Sequence, residues 1–268
     1  MELAVVVLHG LGSQERGFEK ELKDAVSARL TRLGKDPAVV AWQPIYWADV
    51  LEQKELGYLR RADADHELRW MRARTLVVRG LGDAAAYQFV REPTAAYAEI
   101  HDRIRARIGE LYADALGGEP VPMVVLAHSL GSHIISSYIW DTQEGHATGA
   151  APDGAPFERM GWLAGMVTFG STIPLFTFAH DEVKPIAFPG ADLPARYARL
   201  ARWLNYFDPD DVLGYPLGPI NEAYAKLVHD EEINVGNLVE SWNPLSHDAY
   251  WDDRDFTRPV AEYLATFL

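Results

Sequence analysis

Short runs of consecutive apolar residues, rich in β-branched side chains, constrain the fold of this chain most. They occupy residues 4–8 (AVVVL), 121–127 (VPMVVLA) and 163–169 (LAGMVTF). Runs of this length and composition are typical of strands that are buried on both faces, as in a parallel sheet. Three further strands are predicted at residues 39–47, 202–207 and 232–235.

Helical segments separate these strands. Parallel strands need a crossover connection, which is usually a helix. The alternation therefore predicts an α/β fold, with a mostly parallel central sheet flanked by helices, in a single domain of residues 1–268. Insertions or lid segments are expected at residues 49–91, which are less regular, and at the proline-rich residues 172–196. Helices are predicted at residues 15–33, 94–116 and 257–268, and from the end of the 128–131 segment to about residue 140.

The charge balance and the lack of cysteine exclude several classes of protein. With 25 basic and 39 acidic side chains, the net charge is −14, whereas nucleic-acid-binding proteins carry a basic stripe that neutralises phosphates. Because the chain has no cysteine, disulfides, thiolate zinc sites, iron–sulfur clusters and cysteine nucleophiles are excluded. An anionic membrane surface would repel residues 201–268, where 13 side chains are acidic and 4 are basic.

Neither a signal peptide nor a membrane span is expected. The chain enters an apolar run directly after residues 1–3 (MEL), without a basic region or a cleavage site, which favours a cytoplasmic location. Residues 161–179 form an uncharged stretch of 19 residues, close to the length of a membrane span. Gly170, Ser171 and Pro174 divide this stretch into a strand and a loop, so stable membrane insertion is not expected.

The segment at residues 124–132, VVLAHSLGS, joins a predicted strand directly to a predicted helix. A nucleophilic serine at such a junction lies on a tight turn, and the residues two positions before and after it must be small so that strand and helix can approach. Ala127 and Gly131 meet this requirement around Ser129. The alternative interpretation is a serine that only caps the helix. The segment resembles the nucleophile elbow of the α/β-hydrolases, with Ala127 in place of the usual first glycine.

A serine nucleophile needs a base and an acid that orients the base, and the α/β-hydrolases carry them in the order serine, acid, histidine. Three aspartates follow the predicted strand at 202–207, and open α/β sheets carry functional groups beyond the carboxyl ends of their strands. The segment DVLGYP, which begins at Asp211, resembles the lipase segment that carries the catalytic acid. Asp208 lies closer to the strand end and is the alternative acid, and Asp210 is expected to be solvated.

His247 resembles the catalytic histidine of lipases through the segment SHDAYW, which lies between the last predicted strand and the final helix. Among the other histidines, His128 is expected to point away from the nucleophile. His133, one helical turn after Ser129, is expected to serve packing or a polar network. The histidines expected at the surface are His101, His146, His180 and His229.

Two backbone N–H groups are expected to hold the oxyanion, one of them from Leu130, the residue after the nucleophile. The segment HGLG after the first strand resembles the His-Gly loop that supplies the second donor in this family. In this segment, the resemblance implies that the second donor is the N–H of Leu11. A glycine-rich turn after a strand can also cradle a phosphate. HGLG, however, lacks the ending of a P-loop and the spacing of a dinucleotide fingerprint. The residues expected to support the loops are His9, Gly10, Gly12 and Gly131.

These motifs together resemble an α/β-hydrolase of the lipase and esterase type. The resemblance implies a serine hydrolase that cleaves a small carboxylic ester through an acyl-enzyme intermediate, without a cofactor or a metal. The chain departs from the family at Ala127, in lacking the family's first two strands, and at residues 49–91, which leave the substrate class open. A thioesterase or amidase with the same triad and a non-catalytic binding module of this fold are the alternatives.

Acidic residues cluster at 229–232 (HDEE) and 252–255 (DDRD), but without the regular spacing of an EF-hand. A solvated face is therefore expected there rather than a cation site. The negative charge of residues 201–268 surrounds Asp211 and His247 and favours a protonated imidazole, so activity is expected to fall at mildly acidic pH. A neutral or cationic ester is favoured over a polyanionic one.

Overall fold

The computed structural model describes residues 1–10, 15–66, 85–87, 94–144, 156–236 and 244–268, together with Val78 and Gly82. Within these residues, the central sheet has six strands, all parallel, in the order β2-β1-β3-β4-β5-β6. The strands are β1 (Leu3–Leu8), β2 (Val40–Ile45), β3 (Met123–His128), β4 (Leu163–Phe169), β5 (Arg202–Phe207) and β6 (Val228–Glu232). The predicted α/β class with a parallel sheet is confirmed.

Helices connect these strands and cover both faces of the sheet. Those that the structure describes are α1 (Lys20–Arg32), α2 (Asp49–His66), α3 (Ala95–Glu110), α4 (Leu130–Glu144), α5 (Ile173–Thr177), α6 (Ala195–Ala198), α7 (Glu222–Leu227) and α8 (Arg254–Leu264). A π-helical turn at Leu111–Ala115 continues α3, and a 3-10 helix at Pro244–Trp251 precedes α8. The expected helices at 15–33, 94–116 and 257–268 correspond to α1, α3 and α8.

The strands are apolar throughout because they are buried on both faces. Every residue of β1, β3 and β4 is buried, and alternate side chains enter two different cores. In β1, Val6 packs in the core that includes residues of α3 and α4, whereas Val5 packs in the core that includes residues of α1 and α8. Each fully buried valine or leucine contributes about 2 kcal/mol relative to an exposed one.

Two expectations about the second half of the chain are corrected. The last strand lies at Val228–Glu232 rather than at 232–235, and it follows a helix, α7, that the sequence did not predict. β6 is an edge strand with the sequence VHDEE, and most of its side chains reach solvent. Its composition therefore does not look like that of a buried strand.

The two expected insertions contain regular structure. Residues 49–91 begin with the 18-residue helix α2, and most of the rest of that segment lies outside the described residues. Residues 172–196 contain the short helix α5 and the first two residues of the short helix α6. Whether either segment acts as an insertion or a lid stays a prediction.

The uncharged stretch at 161–179 is not a membrane-spanning helix, because it contains β4 and then the five-residue helix α5. Among the described residues, no helix combines the length and the apolar character that a membrane crossing requires.

Candidate active site

Ser129 lies on the turn between β3 and α4, at the carboxyl edge of the sheet. Its φ of 51° is in the left-handed region, which is unfavourable for a residue with a side chain. Two contacts hold this conformation: its N–H donates to the carbonyl of Phe169 at 3.0 Å, and its own carbonyl accepts the N–H of Ser132 at 3.0 Å. The hydroxyl of Ser132 also donates to that carbonyl. The turn is therefore strained and supported from the next strand.

The small residues around Ser129 are required by close contacts. A Cβ at Gly131 would lie 2.4 Å from the carbonyl oxygen of His9, and a Cβ at Gly10 would lie 2.4 Å from the Cβ of Ser129. The loop after β1 thus touches the serine directly. Ala127 is fully buried in β3, so this position accommodates a methyl group where the resemblance leads one to expect glycine.

His247 connects Ser129 to Asp211. Its Nε2 lies 2.7 Å from the Oγ of Ser129, and its Nδ1 lies 2.8 Å from Oδ2 and 3.0 Å from Oδ1 of Asp211. A carboxylate accepts only, so Nδ1 carries the imidazole proton and Nε2 accepts the hydroxyl proton of the serine. All three side chains are buried. The structure therefore brings the three residues into one continuous hydrogen-bonded chain.

Asp211 is held as a carboxylate by several donors. Besides His247, the N–H of Leu213 donates to Oδ1 at 2.9 Å and the hydroxyl of Tyr250 donates to Oδ2 at 3.1 Å. Burial acts to raise the pKa of Asp211, but the hydrogen bond and charge of His247, followed by Leu213 and Tyr250, lower this pKa below its ordinary value. The group therefore stays negative beside the imidazole at neutral pH.

Asp208, the alternative acid, makes different contacts. Its Oδ1 accepts the N–H of Asp210 at 2.8 Å, and its Oδ2 accepts the N–H of Val235 at 2.7 Å. This carboxylate thus ties the end of β5 to the segment after β6, and it is Asp211 that lies at His247. Asp210 is exposed, as expected.

Residues of the β4 and β5 loops make room for the Asp211 carboxylate. Gly170 has a φ of +53°, and a Cβ there would lie 3.2 Å from both Oδ2 of Asp211 and Cε1 of His247. A Cβ at Gly214 would lie 2.4 Å from the same oxygen. The sequence pattern did not indicate a role at the acid for either glycine, although Gly170 directly follows a predicted strand.

His9 shapes the loop that touches the nucleophile. The backbone N–H of Trp47 donates to its Nε2 at 3.1 Å, so Nδ1 carries the proton and donates to the carbonyl of Gly10 at 2.9 Å. The indole N–H of Trp47 donates to the His9 carbonyl at 3.0 Å, and the two rings stack. Burial lowers the pKa of His9 to about 4. His9 is therefore a neutral structural residue.

The oxyanion donors are only partly described. Leu130 is the first residue of α4, where backbone N–H groups lack helical acceptors and the helix dipole favours negative charge. Leu130 is the residue after the nucleophile, the position from which the first oxyanion donor was expected. Leu11 and Gly12 lie outside the described residues.

His128 has a role that the sequence did not reveal. Its Nε2 lies 2.7 Å from the backbone carbonyl of His247, to which it donates, and its ring packs against those of Phe169 and Trp251. Burial holds the pKa of His128 well below its usual range, so the ring is neutral. The residue beside the nucleophile thus anchors the backbone of the base.

The surface expectation for His101 is wrong. Its side chain is buried on α3, 2.6 Å from the hydroxyl of Tyr87, and burial followed by the charge of His133 lowers its pKa to about 3. Its place on the inner face of an amphipathic helix explains the burial. His133 stacks on Phe176, which agrees with a packing role. His180 and His229 are exposed, and His146 lies outside the described residues.

The acidic clusters contain carboxylates that the protein itself satisfies. The half-buried Asp230 accepts the N–H groups of Leu217 and Gly218 and the side-chain amide of Asn205. The other residues of the 229–232 cluster are exposed, as expected. Asp253 caps α8. Across the part of the chain that the structure describes, no group of three or more histidine, aspartate or glutamate side chains is arranged to hold a metal ion.

No protein-family model matches this chain, and no curated protein matches it. Its fold is similar to a protein assigned to the alpha/beta superfamily of hydrolases from Xanthomonas campestris pv. campestris, at 15% identity and a TM-score of 0.37, covering 97% of this chain and 98% of the other. It is also similar to a pyrethroid hydrolase from Sphingobium faniae, at 15% identity and a TM-score of 0.38, covering 100% and 97%. A structure of the pyrethroid hydrolase PytH gives 14% identity and a TM-score of 0.40, covering 100% and 98%. At this level of similarity, neither reaction nor substrate is transferred to this chain.

Proposed function

We propose that this chain is a serine hydrolase of the α/β-hydrolase type, which cleaves a small carboxylic ester through an acyl-enzyme intermediate. The observation that carries the proposal is the hydrogen-bonded chain from Ser129 through His247 to Asp211, with distances of 2.7 and 2.8 Å. Nucleophilic catalysis by serine needs an adjacent base and a group that orients the base. These groups lie at the carboxyl ends of parallel strands, where open α/β sheets bind ligands.

The geometry of Ser129 argues against a serine that only caps α4. A capping residue has extended backbone dihedrals, and its side-chain oxygen accepts an N–H from the first turn of the helix. Ser129 instead has a positive φ, and its hydroxyl bonds to His247. Such a backbone conformation costs about 1–3 kcal/mol and persists only where the surrounding structure holds it, as the contacts with Phe169 and Ser132 do here. A non-catalytic binding module would have no need of this arrangement.

In the proposed acylation, the Oγ of Ser129 attacks the ester carbonyl carbon while its proton moves to Nε2 of His247. Asp211 stabilises the imidazolium that forms, and the N–H of Leu130 donates to the oxyanion of the tetrahedral intermediate. Collapse of this intermediate breaks the bond to the alcohol oxygen, which takes the proton from Nε2. The products of this half-reaction are an acyl-serine and a free alcohol.

In the deacylation, a water molecule attacks the acyl carbonyl and gives its proton to Nε2 of His247. Collapse of the second intermediate releases the carboxylic acid, and the imidazolium returns its proton to the Oγ of Ser129. Leu11 is proposed as a second oxyanion donor on the basis of the HGLG segment. The cytoplasmic location and the preference for a neutral or cationic ester stay predictions from the sequence.

Labelling with a fluorophosphonate probe tests the nucleophile, because such probes react covalently with activated serines. We expect wild-type protein to be labelled on Ser129, Ser129→Ala to be unlabelled, and the control Ser27→Ala, on α1, to be labelled at the wild-type rate. A wild-type protein that is not labelled, or a Ser129→Ala variant that is labelled equally, would contradict the proposal.

A substrate panel tests the bond that is cleaved. Aryl esters of increasing acyl length, the matched thioesters and the matched anilides are compared by kcat/KM. The proposal expects the highest values for esters. A clear preference for the thioester or the anilide would keep the nucleophile but reassign the reaction to the thioesterase or amidase class.

A further inference from the structure

We propose that Tyr250 is a positioning residue for the catalytic acid, whose hydroxyl holds the Asp211 carboxylate in the orientation that His247 requires. This inference rests on the proposed function. Tyr250 lies three residues after His247 in the same 3-10 helix, Pro244–Trp251. One short helix therefore presents both the base and the tyrosine to Asp211.

The direction of the tyrosine hydrogen bond is determined by its second partner. The backbone N–H of Asp208 donates to the hydroxyl oxygen of Tyr250 at 3.0 Å, and that oxygen lies 3.1 Å from Oδ2 of Asp211. Because the N–H of Asp208 can only donate, the hydroxyl accepts there, and its own proton remains free for the carboxylate. Tyr250 is therefore a donor to Asp211.

This donor completes the fixation of the carboxylate. The N–H of Leu213 donates to Oδ1, the hydroxyl of Tyr250 donates to Oδ2, and Nδ1 of His247 lies 3.0 and 2.8 Å from these two oxygens. With one fixed donor on each oxygen, rotation of the carboxylate about its Cβ–Cγ bond would break a hydrogen bond. Without the tyrosine hydroxyl, Oδ2 keeps only the imidazole as its partner among these donors.

The tyrosine ring itself is rigidly placed. Tyr250 is fully buried, and its ring packs edge-to-face with Phe256 and beside Phe169. A Cβ at Gly170 would lie 3.2 Å from Cε2 of this ring, so the backbone of the β4 loop lies directly against it. A side chain held in this way acts on the reaction through Asp211, which makes it a positioning residue.

Tyr250→Phe tests the proposal because it removes the hydroxyl and keeps the ring. Loss of one hydrogen bond to a charged group is expected to lower kcat about tenfold. KM is expected to change less than twofold, because the hydroxyl contacts Asp211 and the N–H of Asp208 rather than Ser129. The matched control is Tyr263→Phe. The hydroxyl of Tyr263 likewise accepts the backbone N–H of Arg202 and donates to the backbone carbonyl of Ala164. Both contacts lie at the amino ends of β4 and β5, away from the triad. This control is expected to keep wild-type kcat and KM.

A double-mutant cycle separates positioning from general loosening of the fold. In an Asp211→Asn background, Tyr250→Phe is expected to change the rate of fluorophosphonate labelling less than twofold, because the carboxylate through which it acts is absent. Both measurements are made 20 °C below the Tm of the least stable variant, so that every protein is folded. An equal loss in both backgrounds, or a Tyr250→Phe variant with wild-type kcat, would overturn the inference.

The labelling experiment also distinguishes failure of this inference from failure of the proposed function. If wild-type protein is labelled on Ser129 and Tyr250→Phe is labelled at the same rate, only the role of Tyr250 is refuted. If wild-type protein is not labelled at all, the serine hydrolase proposal fails first. Slower labelling of Tyr250→Phe than of Tyr263→Phe supports both.

Discussion

Replacing Asp211 by asparagine keeps the size of the side chain but removes the charge that faces the imidazole of His247. The amide has one oxygen, whereas the N–H of Leu213 and the hydroxyl of Tyr250 donate to both oxygens of the native side chain. If the amide oxygen keeps the bond to Leu213, the NH₂ group lies where Oδ2 was, 2.8 Å from Nδ1 of His247. It then donates to Nδ1, which moves the imidazole proton to Nε2.

An imidazole that carries its proton on Nε2 cannot accept the proton of Ser129. Loss of the correct tautomer together with the charge that stabilises the imidazolium is expected to lower kcat about 10⁴-fold, or about 5 kcal/mol of transition-state stabilisation. Asp208→Asn is the matched control. Its amide keeps one acceptor for the N–H groups of Asp210 and Val235, so we expect a stability loss of about 1–3 kcal/mol and a change in kcat of less than about threefold.

The two variants are compared by steady-state hydrolysis of an aryl ester, by the rate of fluorophosphonate labelling and by urea unfolding. The expected pattern is a large kinetic effect at Asp211 and an effect at Asp208 that is confined to stability. Equal small losses at both positions, or a larger kinetic loss at Asp208, would refute the assignment of Asp211 as the group that orients His247.

Three further outcomes are expected. Gly10→Ala places a Cβ 2.4 Å from the Cβ of Ser129, so kcat should fall at least about 100-fold, as a misplacement of about 1 Å does, while the labelling rate falls in parallel. Trp47→Phe leaves the carbonyl of His9 without its indole donor and should lower the free energy of unfolding by about 1–3 kcal/mol in urea titrations. Because folding lowers the pKa of Asp211 below its ordinary 3.8, the unfolded chain binds this proton more readily. The stability from this group is therefore present above pH 3.8 and lost as the pH falls through the lower folded value, and Asp211→Asn should show a smaller loss of stability over that acid range. An unchanged acid slope, wild-type kcat in Gly10→Ala or unaltered unfolding in Trp47→Phe would contradict the corresponding contact.

The buried strands were predictable because burial on both faces requires an apolar composition. β1, β3 and β4 are covered on both faces, so nearly every position is apolar and each strand forms a continuous apolar run in the sequence. β6 was misplaced because an edge strand with exposed side chains has no such pattern. The helix α7 was missed for a related reason, since only Tyr224 of its six residues is buried.

The choice between Asp208 and Asp211 depended on contacts that no local pattern contains. Both carboxylates are buried and both follow β5. Asp208 turns toward the N–H of Val235, whereas Asp211 turns toward Gly170 and His247, because the glycine that follows the neighbouring strand leaves space there. The resemblance to lipase segments favoured Asp211, whereas the position of the two aspartates after the strand was compatible with either as the acid.

The parallel sheet follows from the sequence, because periodicity and composition depend on near neighbours. The order of the serine, aspartate and histidine along the chain also follows from it, as do the strand ends that carry Ser129 and Asp211. The contacts of His128 with the backbone of His247, of Trp47 with His9 and of Tyr250 with Asp211 do not. They join residues 119, 38 and 39 positions apart, and such pairs meet because the sheet places the ends of distant strands side by side. Which partner each buried polar group binds is therefore decided by the tertiary structure.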